Sequence, residues 1–155
     1  MNRFSPRITV ATIIERDEKF LMVREEIQGE LRYNQPAGHV EAGEQLSQAA
    51  FRETLEETAW QVEITAFVGV FIFQAGINGP IYHRYCFVGE PKSHDKKQRL
   101  DADIYDTQWL TFDEIKAARA QHRSPLVLPC LTQYLAGRRL PLDTLYEHPW
   151  PLQQK

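Results

Sequence analysis

The feature that most constrains this chain is a group of three glutamates at helical spacing, Glu53, Glu56 and Glu57. Residues three and four positions apart are neighbours on an α-helix, and like charges there destabilise the helix by roughly 0.2–0.5 kcal/mol per pair. A hard divalent cation, which prefers oxygen ligands, would offset this repulsion. The alternative is an acidic face that is exposed to solvent and binds nothing.

A helical wheel favours a binding site over a solvent-exposed face. At about 100° per residue, the three glutamates share an arc with two small alanines rather than with other charged residues. Phe51 and Leu55 fall on the opposite side, so the pattern predicts a helix that packs against other elements on two sides. Arg52 lies four residues before Glu56, and we expect the two to form an ion pair that fixes the direction of the carboxylate.

The glutamates belong to a longer pattern, whose glycine and charged positions are Gly38, Glu44, Arg52, Glu53, Glu56 and Glu57. This pattern resembles the signature of the Nudix hydrolases, the MutT-like family that cleaves phosphoanhydrides with divalent metal. Thr54 stands where the family usually has an aliphatic residue, and Ala59 where a glycine ends the helix. We expect Ala59 to adopt a left-handed conformation at a cost of about 1 kcal/mol, so the two departures affect stability more than activity.

The resemblance extends over roughly residues 8–120 and implies an α/β fold, a Nudix-type α/β/α sandwich around a mixed β-sheet. It also implies a divalent cofactor, Mg²⁺, with Mn²⁺ as an alternative. A length of 155 residues suits one domain with one core. The predicted organisation is a single Nudix hydrolase domain with a C-terminal helical extension over about residues 121–155.

The residue pattern also predicts the order of the elements. The β-branched segment 8–14 is predicted to be a strand that pairs with residues 20–24 across a polar turn. The further predicted elements are a helix over 46–58, a long hairpin of 62–73 and 81–88, an exposed loop over 90–99, a strand over 105–110, helices over 112–120 and 125–136, and a surface tail over 138–155. Strands that alternate with helices in this way predict an α/β layered domain.

Charge and composition restrict the partners of the chain. A net charge of −3 argues against broad nucleic-acid binding, and it means that a phosphate substrate needs a metal ion or a local basic patch. No apolar stretch is long enough to span a membrane and no secretion signal is visible, so a cytoplasmic protein is predicted. Cys86 and Cys130 lack metal-ligand spacing and are predicted to be reduced core thiols. The expected partner is a small-molecule nucleotide or pyrimidine diphosphate, bound by a monomer or homodimer.

The predicted metal ligands come from the helix and the loop before it. Glu53 and Glu57, one helical turn apart, are the predicted direct ligands of one cation, and Glu56 is predicted to share a second. The family resemblance adds the backbone carbonyl of Gly38 to these ligands. It also implies that Glu44 holds metal-bound water from the outer shell.

A further carboxylate is predicted in a later loop. Family members commonly take it from a position six or seven residues before a tryptophan, and Asp103 lies six residues before Trp109. Asp103 is therefore predicted to be an extra ligand or the general base, with Glu53 as the rival base. Asp101, eight residues before the tryptophan, fits less well, and a turn or cap carboxylate is the alternative for Asp103.

The rest of the site must hold the phosphates and the leaving group. Arginine can grip phosphate oxygens in a fork, and aromatic rings can stack on a base or small heterocycle. The predicted phosphate contacts are Arg24, Arg32 and Arg84, and the predicted stacking residues are Tyr33, Phe73 and Tyr85, with Phe71 and Tyr82 as further candidates. Each aromatic residue taken singly is more common in a core or on a sheet than in a binding site.

Short strings at residues 34–39, 123–127 and 137–142 resemble a bacterial phosphatase subfamily of the Nudix hydrolases. That resemblance implies a broad nucleoside tri- and diphosphatase that releases orthophosphate and also acts on the hydroxymethylpyrimidine diphosphate of thiamine biosynthesis. One alternative is a dinucleotide-type pyrophosphohydrolase that acts on ADP-ribose or diadenosine polyphosphates. Another is a nucleotide sensor without turnover, although a binding module has no need of clustered, mutually repelling carboxylates.

Overall fold

Two β-sheets and three α-helices make up the computed structural model, which describes residues 3–151. The elements in chain order are β1 (Arg7–Ile13), β2 (Glu15–Arg16), β3 (Lys19–Ile27), β4 (Glu30–Asn34), β5 (Ala37–His39), α1 (Leu46–Thr58), β6 (Trp60–Gln74), β7 (Ile81–His94), β8 (Ile104–Thr111), α2 (Phe112–Ala117) and α3 (Val127–Leu135). Short 3₁₀ turns follow α2 and α3, at Arg119–Gln121 and Leu142–Thr144. Helix α1 has the bounds that the sequence predicts.

The larger sheet is mixed and has the strand order β5-β1-β7-β6. Strand β1 runs parallel to β7, whereas β5 and β6 run antiparallel to their neighbours. In the second sheet, β3 lies between β4 and β8 and is antiparallel to both, and the two-residue β2 pairs with its first residues. The predicted α/β class with a mixed sheet is therefore confirmed.

Alternate residues of the central strands face two helical layers. Val10 and Phe87 pack with Ala49 and Ala50 of α1 on one face. The opposite face carries a larger buried cluster, whose members are Ala11, Ile13, Phe20, Met22, Val68, Cys86, Ile115, Val127, Cys130, Leu131 and Tyr134. Because side chains alternate along a strand, α1 and α3 lie on opposite sides of the larger sheet. The two cysteines are buried and unbridged, as predicted.

The predicted pairing of the first two long strands is wrong. Strand β1 pairs with β5 and β7, whereas β3 belongs to the second sheet. Asp17 and Glu18 have φ values of 52° and 61°, which suit a type I′ turn and close a tight hairpin between β2 and β3. The chain therefore leaves the larger sheet at the end of β1, and the Leu21 N–H donates to the Ile14 oxygen at 2.9 Å beside the crossing point.

The long hairpin is confirmed and extends further than predicted. Trp60 pairs opposite His94, and their rings stack with 4.8 Å between centroids. The exposed loop predicted over residues 90–99 is therefore wrong in its first half, because β7 continues to His94. Both C-terminal helices are present but shorter than predicted, since α2 ends at Ala117 and α3 spans Val127–Leu135.

The C-terminal tail lies along the surface, as predicted, up to the last described residue. Leu140 and Phe67 exchange backbone hydrogen bonds of 2.8 and 2.9 Å, so the tail covers part of β6. The Glu147 carboxylate then accepts the N–H of Leu46 at 3.0 Å, where a negative group suits the first turn of α1. Residues 152–155 of the predicted tail lie outside the described residues. Between residues 3 and 151, no helix is long and apolar enough to cross a membrane.

Candidate active site

Helix α1 positions the glutamates, and hydrogen bonds satisfy both of its ends. At the N-terminus, the side chain of Gln48 accepts the N–H of Gln45 at 3.0 Å. At the C-terminus, Ala59 has φ 58° and ψ 16°, the left-handed conformation expected of it, and its N–H donates to the oxygen of Leu55. The predicted packing on a second side is wrong at Phe51, whose side is open and which is 38% exposed.

Strand β5 lies directly against two of the carboxylates. It pairs with β1 so that Gly38 lies opposite Val10. A Cβ atom at Gly38 would lie 2.1 Å from Cδ of Glu53 and 2.3 Å from each of its oxygens, so only glycine allows this approach. The neighbouring N–H of Ala37 donates to Oε1 of Glu57 at 2.8 Å. The backbone of β5 therefore fixes the place of both side chains.

Arg52 is the hydrogen-bonding centre of the acidic cluster. Its guanidinium donates to Glu44 at 2.6 and 2.9 Å and to Glu53 at 2.8 Å. It also donates to Glu56 at 3.2 Å, as predicted, and to the backbone oxygen of His39 at 3.0 Å. Because a guanidinium has five N–H donors and these bonds use them inside the protein, Arg52 orients carboxylates rather than reaching for a ligand.

The loop after β7 brings a further carboxylate to the helix. The side-chain amide of Gln98 donates to the oxygen of Leu55 at 2.8 Å, and the N–H of Asp101 donates to the oxygen of Glu56 at 3.1 Å. The bond from Asp101 gives a partner to a carbonyl group of the last turn of α1, whereas the oxygen of Leu55 accepts from Gln98 in addition to the N–H of Ala59. As a result, one oxygen each from Glu53, Glu56 and Asp101 lie within 4.8 Å of one another.

This set of three carboxylates fits a hard divalent cation in charge and in ligand type. Asp103 also lines the cleft but lies outside the set, and Asp101 takes the place beside Glu53 and Glu56. Glu57 is buried and faces the same cleft. The structure thus brings the predicted residues of the helix together with both loop aspartates, while their individual roles as ligands or base stay predictions.

Burial controls the protonation of the helix carboxylates. Desolvation raises the pKa of Glu57 well above its usual value, and the charges of Glu25 and Glu53 raise it further. Desolvation also raises the pKa of Glu53, although its hydrogen bond from Arg52 opposes this effect. The same guanidinium holds the pKa of Glu44 below its usual value. Because a cation favours ionised carboxylates, metal binding here should release protons.

Glu53, Glu57 and the two loop aspartates line a cleft of about 400 Å³ whose other side is formed by β7 and β6. Arg84 is buried there, and its guanidinium donates to Oδ1 of Asn34 at 3.1 Å and to Oε1 of Gln35 at 3.0 Å. The rings of Phe73 and Tyr82 stack with 5.9 Å between centroids and 14° between planes. The cleft therefore joins acidic groups, a guanidinium and a flat aromatic surface, a combination suited to a phosphorylated heterocycle.

Arg84 lines the cleft as predicted, whereas two other predicted phosphate contacts are engaged elsewhere. Arg24 donates through two nitrogens to the Asp106 carboxylate, at 2.6 and 2.5 Å, and these hydrogen bonds raise its pKa. Arg32 donates to the oxygen of Ala120 at 2.8 Å. Both guanidinium groups join parts of the fold, so the structure argues against a phosphate contact at either position.

Some of the predicted stacking residues line the cleft, and others pack elsewhere in the fold. Phe73 lines the cleft, and so does Tyr82. Tyr85 instead stacks against Phe67 in the cluster beneath α1, with 6.3 Å between centroids. Tyr33 packs against the buried cluster on the opposite face of the sheet. The last two are packing residues in this structure, as the alternative reading of a single aromatic residue allows.

Three charged residues of the cleft escape the sequence analysis, Glu25, Glu41 and Arg123. Oε2 of Glu25 lies 3.6 Å from Nε of Arg123, and desolvation raises the pKa of this glutamate. Glu25 follows Arg24 in β3, and successive side chains of a strand point to opposite faces, so only one of the two can face the cleft. The choice depends on the register of β3 against β4 and β8, which no local pattern reveals.

Known proteins are similar to this chain in sequence and in architecture. The family model of the NUDIX domain matches residues 5–129. The chain is also 37% identical over 148 residues to Phosphatase NudJ of Escherichia coli strain K12, a match that covers 96% of this chain and 95% of that protein. NudJ belongs to the phosphatase subfamily that the strings at residues 34–39, 123–127 and 137–142 resemble.

Solved structures of Nudix hydrolases are also similar to this chain. A NUDIX hydrolase from Nitrosomonas europaea is 42% identical, with a TM-score of 0.90 and coverage of 94% of this chain and 99% of that one. A bifunctional NMN adenylyltransferase/ADP ribose pyrophosphatase from Francisella tularensis, solved with AMP and a Mn ion, is 21% identical with a TM-score of 0.60. It covers 88% of this chain and 43% of that one, and it shares the fold alone.

Proposed function

The chain belongs to the Nudix family of phosphoanhydride hydrolases, and we propose that it is a nucleotide phosphatase that releases orthophosphate from nucleoside tri- and diphosphates. Hydroxymethylpyrimidine diphosphate is a further proposed substrate. The observation that carries the proposal is the cleft, in which Glu53 and Asp101 of the three-carboxylate set share one space with Arg84 and the stacked rings of Phe73 and Tyr82. Similarity to Phosphatase NudJ along nearly the whole chain supports it.

Nudix hydrolases generally use divalent metal ions, and the donor set of this chain fits one. Glu53, Glu56 and Asp101 would hold the ion, and the carbonyl of Gly38 and the carboxylate of Glu57 are the further candidates. The proposed ion is Mg²⁺, with Mn²⁺ as an alternative. When bound, such an ion neutralises phosphate oxygens and acidifies water.

The side chains of the protein orient the groups that react and accept a proton. Phosphoryl transfer asks little covalent chemistry of the enzyme, so positioning and electrostatics dominate. Asp103 is the proposed acceptor of a proton from the attacking water, because it lines the cleft without belonging to the three-carboxylate set; Glu53 is the rival. Arg52 holds Glu44 and Glu53 in fixed directions through its hydrogen bonds.

The aromatic wall favours a broad range of bases. Stacking tolerates any base because every base has a π-face, whereas strong selection needs buried polar groups that read a ring edge. Among the described residues that line the cleft, Asn34 carries the amide side chain, and its oxygen already accepts from Arg84. We therefore expect kcat/KM values for ATP, GTP and hydroxymethylpyrimidine diphosphate to agree within about two decades, or roughly 3 kcal/mol.

Product analysis tests this proposal. The purified protein is assayed with ATP, GTP, ADP, hydroxymethylpyrimidine diphosphate and ADP-ribose, with Mg²⁺ or with EDTA, and with the Glu53→Gln variant as the control for contaminating phosphatase. Mg²⁺-dependent release of orthophosphate from the nucleotides is the expected result. Cleavage of ADP-ribose alone would favour the dinucleotide-type alternative, and nucleotide binding without turnover would favour a sensor.

The proposal also covers the domain organisation, the cellular location and the assembly state of the protein. The C-terminal helical extension over about residues 121–155 is proposed to belong to the same unit as the hydrolase domain. The protein is proposed to act in the cytoplasm on small molecules, as a monomer or homodimer. Light scattering at assay concentration distinguishes the two assembly states.

A further inference from the structure

Hydrogen bonds within the protein fix the positions of two arginines, Arg52 of the acidic cluster and Arg84 of the cleft. Arg52 donates to three carboxylates and a backbone oxygen. Arg84 is buried and donates to the amide oxygens of Asn34 and Gln35. The bonds of Arg52 occupy all five of its N–H donors, and those of Arg84 occupy two of its five. Arg123 is the other guanidinium among the described residues that line the cleft.

Arg123 has a fixed backbone. Its N–H donates to the oxygen of Tyr33 at 2.8 Å, next to a parallel bridge between Tyr33 and His122. Three residues before Arg123, the backbone oxygen of Ala120 accepts a hydrogen bond from Arg32 of β4 at 2.8 Å. The segment is therefore docked along β4, which places the base of the Arg123 side chain at the rim of the cleft.

The side chain of Arg123, by contrast, is half exposed and loosely held. The nearest carboxylate oxygen, Oε2 of Glu25, lies 3.6 Å from its Nε, which is too far for a good hydrogen bond. Within residues 3–151, Oε2 of Glu25 is buried with no hydrogen-bond partner, and the guanidinium has no hydrogen-bonded acceptor. A free fork of donors thus faces the cleft beside a negative charge that attracts it.

We propose that Arg123 binds phosphate oxygens of the substrate and that Glu25 positions its guanidinium. This inference rests on the proposed function as a nucleotide phosphatase. A guanidinium fork matches two phosphate oxygens, and Glu25 attracts it by charge without consuming its N–H donors. Ser124 follows and also lines the cleft, and its Oγ accepts the N–H of Leu126 at 3.2 Å, so the turn that carries Arg123 is tied at both ends.

The first experiment compares Arg123→Gln and Arg123→Lys with the matched control Arg119→Gln, which removes one exposed positive charge four residues earlier in the chain, outside the cleft. The measurements are KM and kcat for ADP with Mg²⁺, and the dissociation constant of inorganic phosphate by calorimetry. For Arg123→Gln, both KM and the phosphate dissociation constant should rise roughly 10- to 100-fold, with kcat within about fivefold of wild type. Arg123→Lys keeps the charge but loses the fork, so it should recover only part of the affinity.

The Arg119→Gln control separates a specific role of Arg123 from an effect of net charge, and inorganic phosphate separates binding from turnover. Arg119→Gln should stay within about twofold of wild type. The inference is overturned if Arg123→Gln keeps wild-type KM and phosphate affinity, or if Arg119→Gln loses as much, which would indicate net charge alone. If the wild-type protein releases no orthophosphate from any nucleotide, the proposed function fails instead. Phosphate binding needs no turnover, so it still decides the role of Arg123.

The second experiment tests Glu25 by a double-mutant cycle. Glu25→Gln should raise KM several-fold in the wild-type background, with little change in kcat. In the Arg123→Gln background the same substitution should change KM by less than about twofold, because the guanidinium that it positions is gone. Equal effects in both backgrounds, or a main effect on the Mg²⁺ requirement, would show that Glu25 acts independently of Arg123 and would overturn the positioning role.

Discussion

Substituting Gly38 by alanine tests the geometry of the acidic cluster with a single methyl group. The new Cβ would lie 2.1 Å from Cδ of Glu53 and 2.3 Å from both of its oxygens. Ordinary contacts between such atoms are about 3.5 Å, so the carboxylate must retreat by roughly 1 Å or more. Metal sites accept ligand distances only within about 0.2 Å, so Glu53 can no longer occupy its present place as a ligand.

The fold itself should survive this substitution. The clashing atoms belong to the end of a flexible side chain, and Gly38 does not need the left-handed backbone conformation. Replacing glycine by alanine at an unstrained position stabilises by about 0.4–1 kcal/mol through the unfolded chain, while local crowding costs about 1–3 kcal/mol. The free energy of unfolding without metal should therefore fall by no more than about 2.6 kcal/mol.

The assay combines Mg²⁺ titration calorimetry, orthophosphate release and urea unfolding in EDTA. Loss of an outer-shell partner typically costs 10–100-fold in metal affinity, so displacement of Glu53 should cost Gly38→Ala at least about 100-fold. In a Glu53→Ala background the clash is absent, and Gly38→Ala should add almost nothing. The reasoning is refuted if Gly38→Ala alone keeps Mg²⁺ affinity and kcat within threefold of wild type.

Two further predictions concern the other carboxylates. Burial raises the pKa of Glu57 in the folded protein, so its contribution to stability is present below about pH 4.5 and is lost as the pH rises through the folded pKa. Urea unfolding in EDTA should therefore show that Glu57→Gln is more stable than wild type between about pH 5 and 8. Added Mg²⁺ should stabilise the wild type more than it stabilises Glu57→Gln. Asp101→Asn should raise the Mg²⁺ concentration for half-maximal activity about tenfold or more, whereas Asp103→Asn should lower kcat on the order of 10²–10⁴-fold at saturating Mg²⁺. If Asp103→Asn leaves kcat unchanged, the proton acceptor is Glu53.

The parts of the site that depend on local sequence are the parts that the sequence predicts well. Helix α1 has its predicted bounds, and Ala59 adopts the left-handed conformation expected from its place after the last turn. Helical spacing fixes which side chains share a face, so the pairing of Arg52 with Glu56 also follows from four positions of separation. The additional bonds from Arg52 to Glu44 depend on how the preceding loop folds back, which spacing does not give.

The cationic side of the cleft depends on long-range contacts, and there the sequence predicts less. Arg24 is paired with Asp106, 82 positions later, through the alignment of β3 and β8. The register of β3 places Glu25 in the cleft beside Arg123, and neither Glu25 nor Arg123 carries a local signal of this role. Strand residues alternate between faces, so a one-residue uncertainty in register exchanges the residue that faces the site for the one that does not.

The charge of the cleft explains why the cation matters before any chemistry begins. Six carboxyl groups and two guanidinium groups line it within the part of the chain that the structure describes. A polyphosphate approaching the ionised cleft would meet net repulsion, in line with the negative charge of the whole chain. Desolvation raises the pKa values of Glu53 and Glu57, so their charged forms are disfavoured when no cation is bound. A divalent ion would therefore halve the net negative charge of the ionised cleft and offer phosphate oxygens a direct partner, and the guanidinium of Arg123 would then have an anion within reach of its free donors.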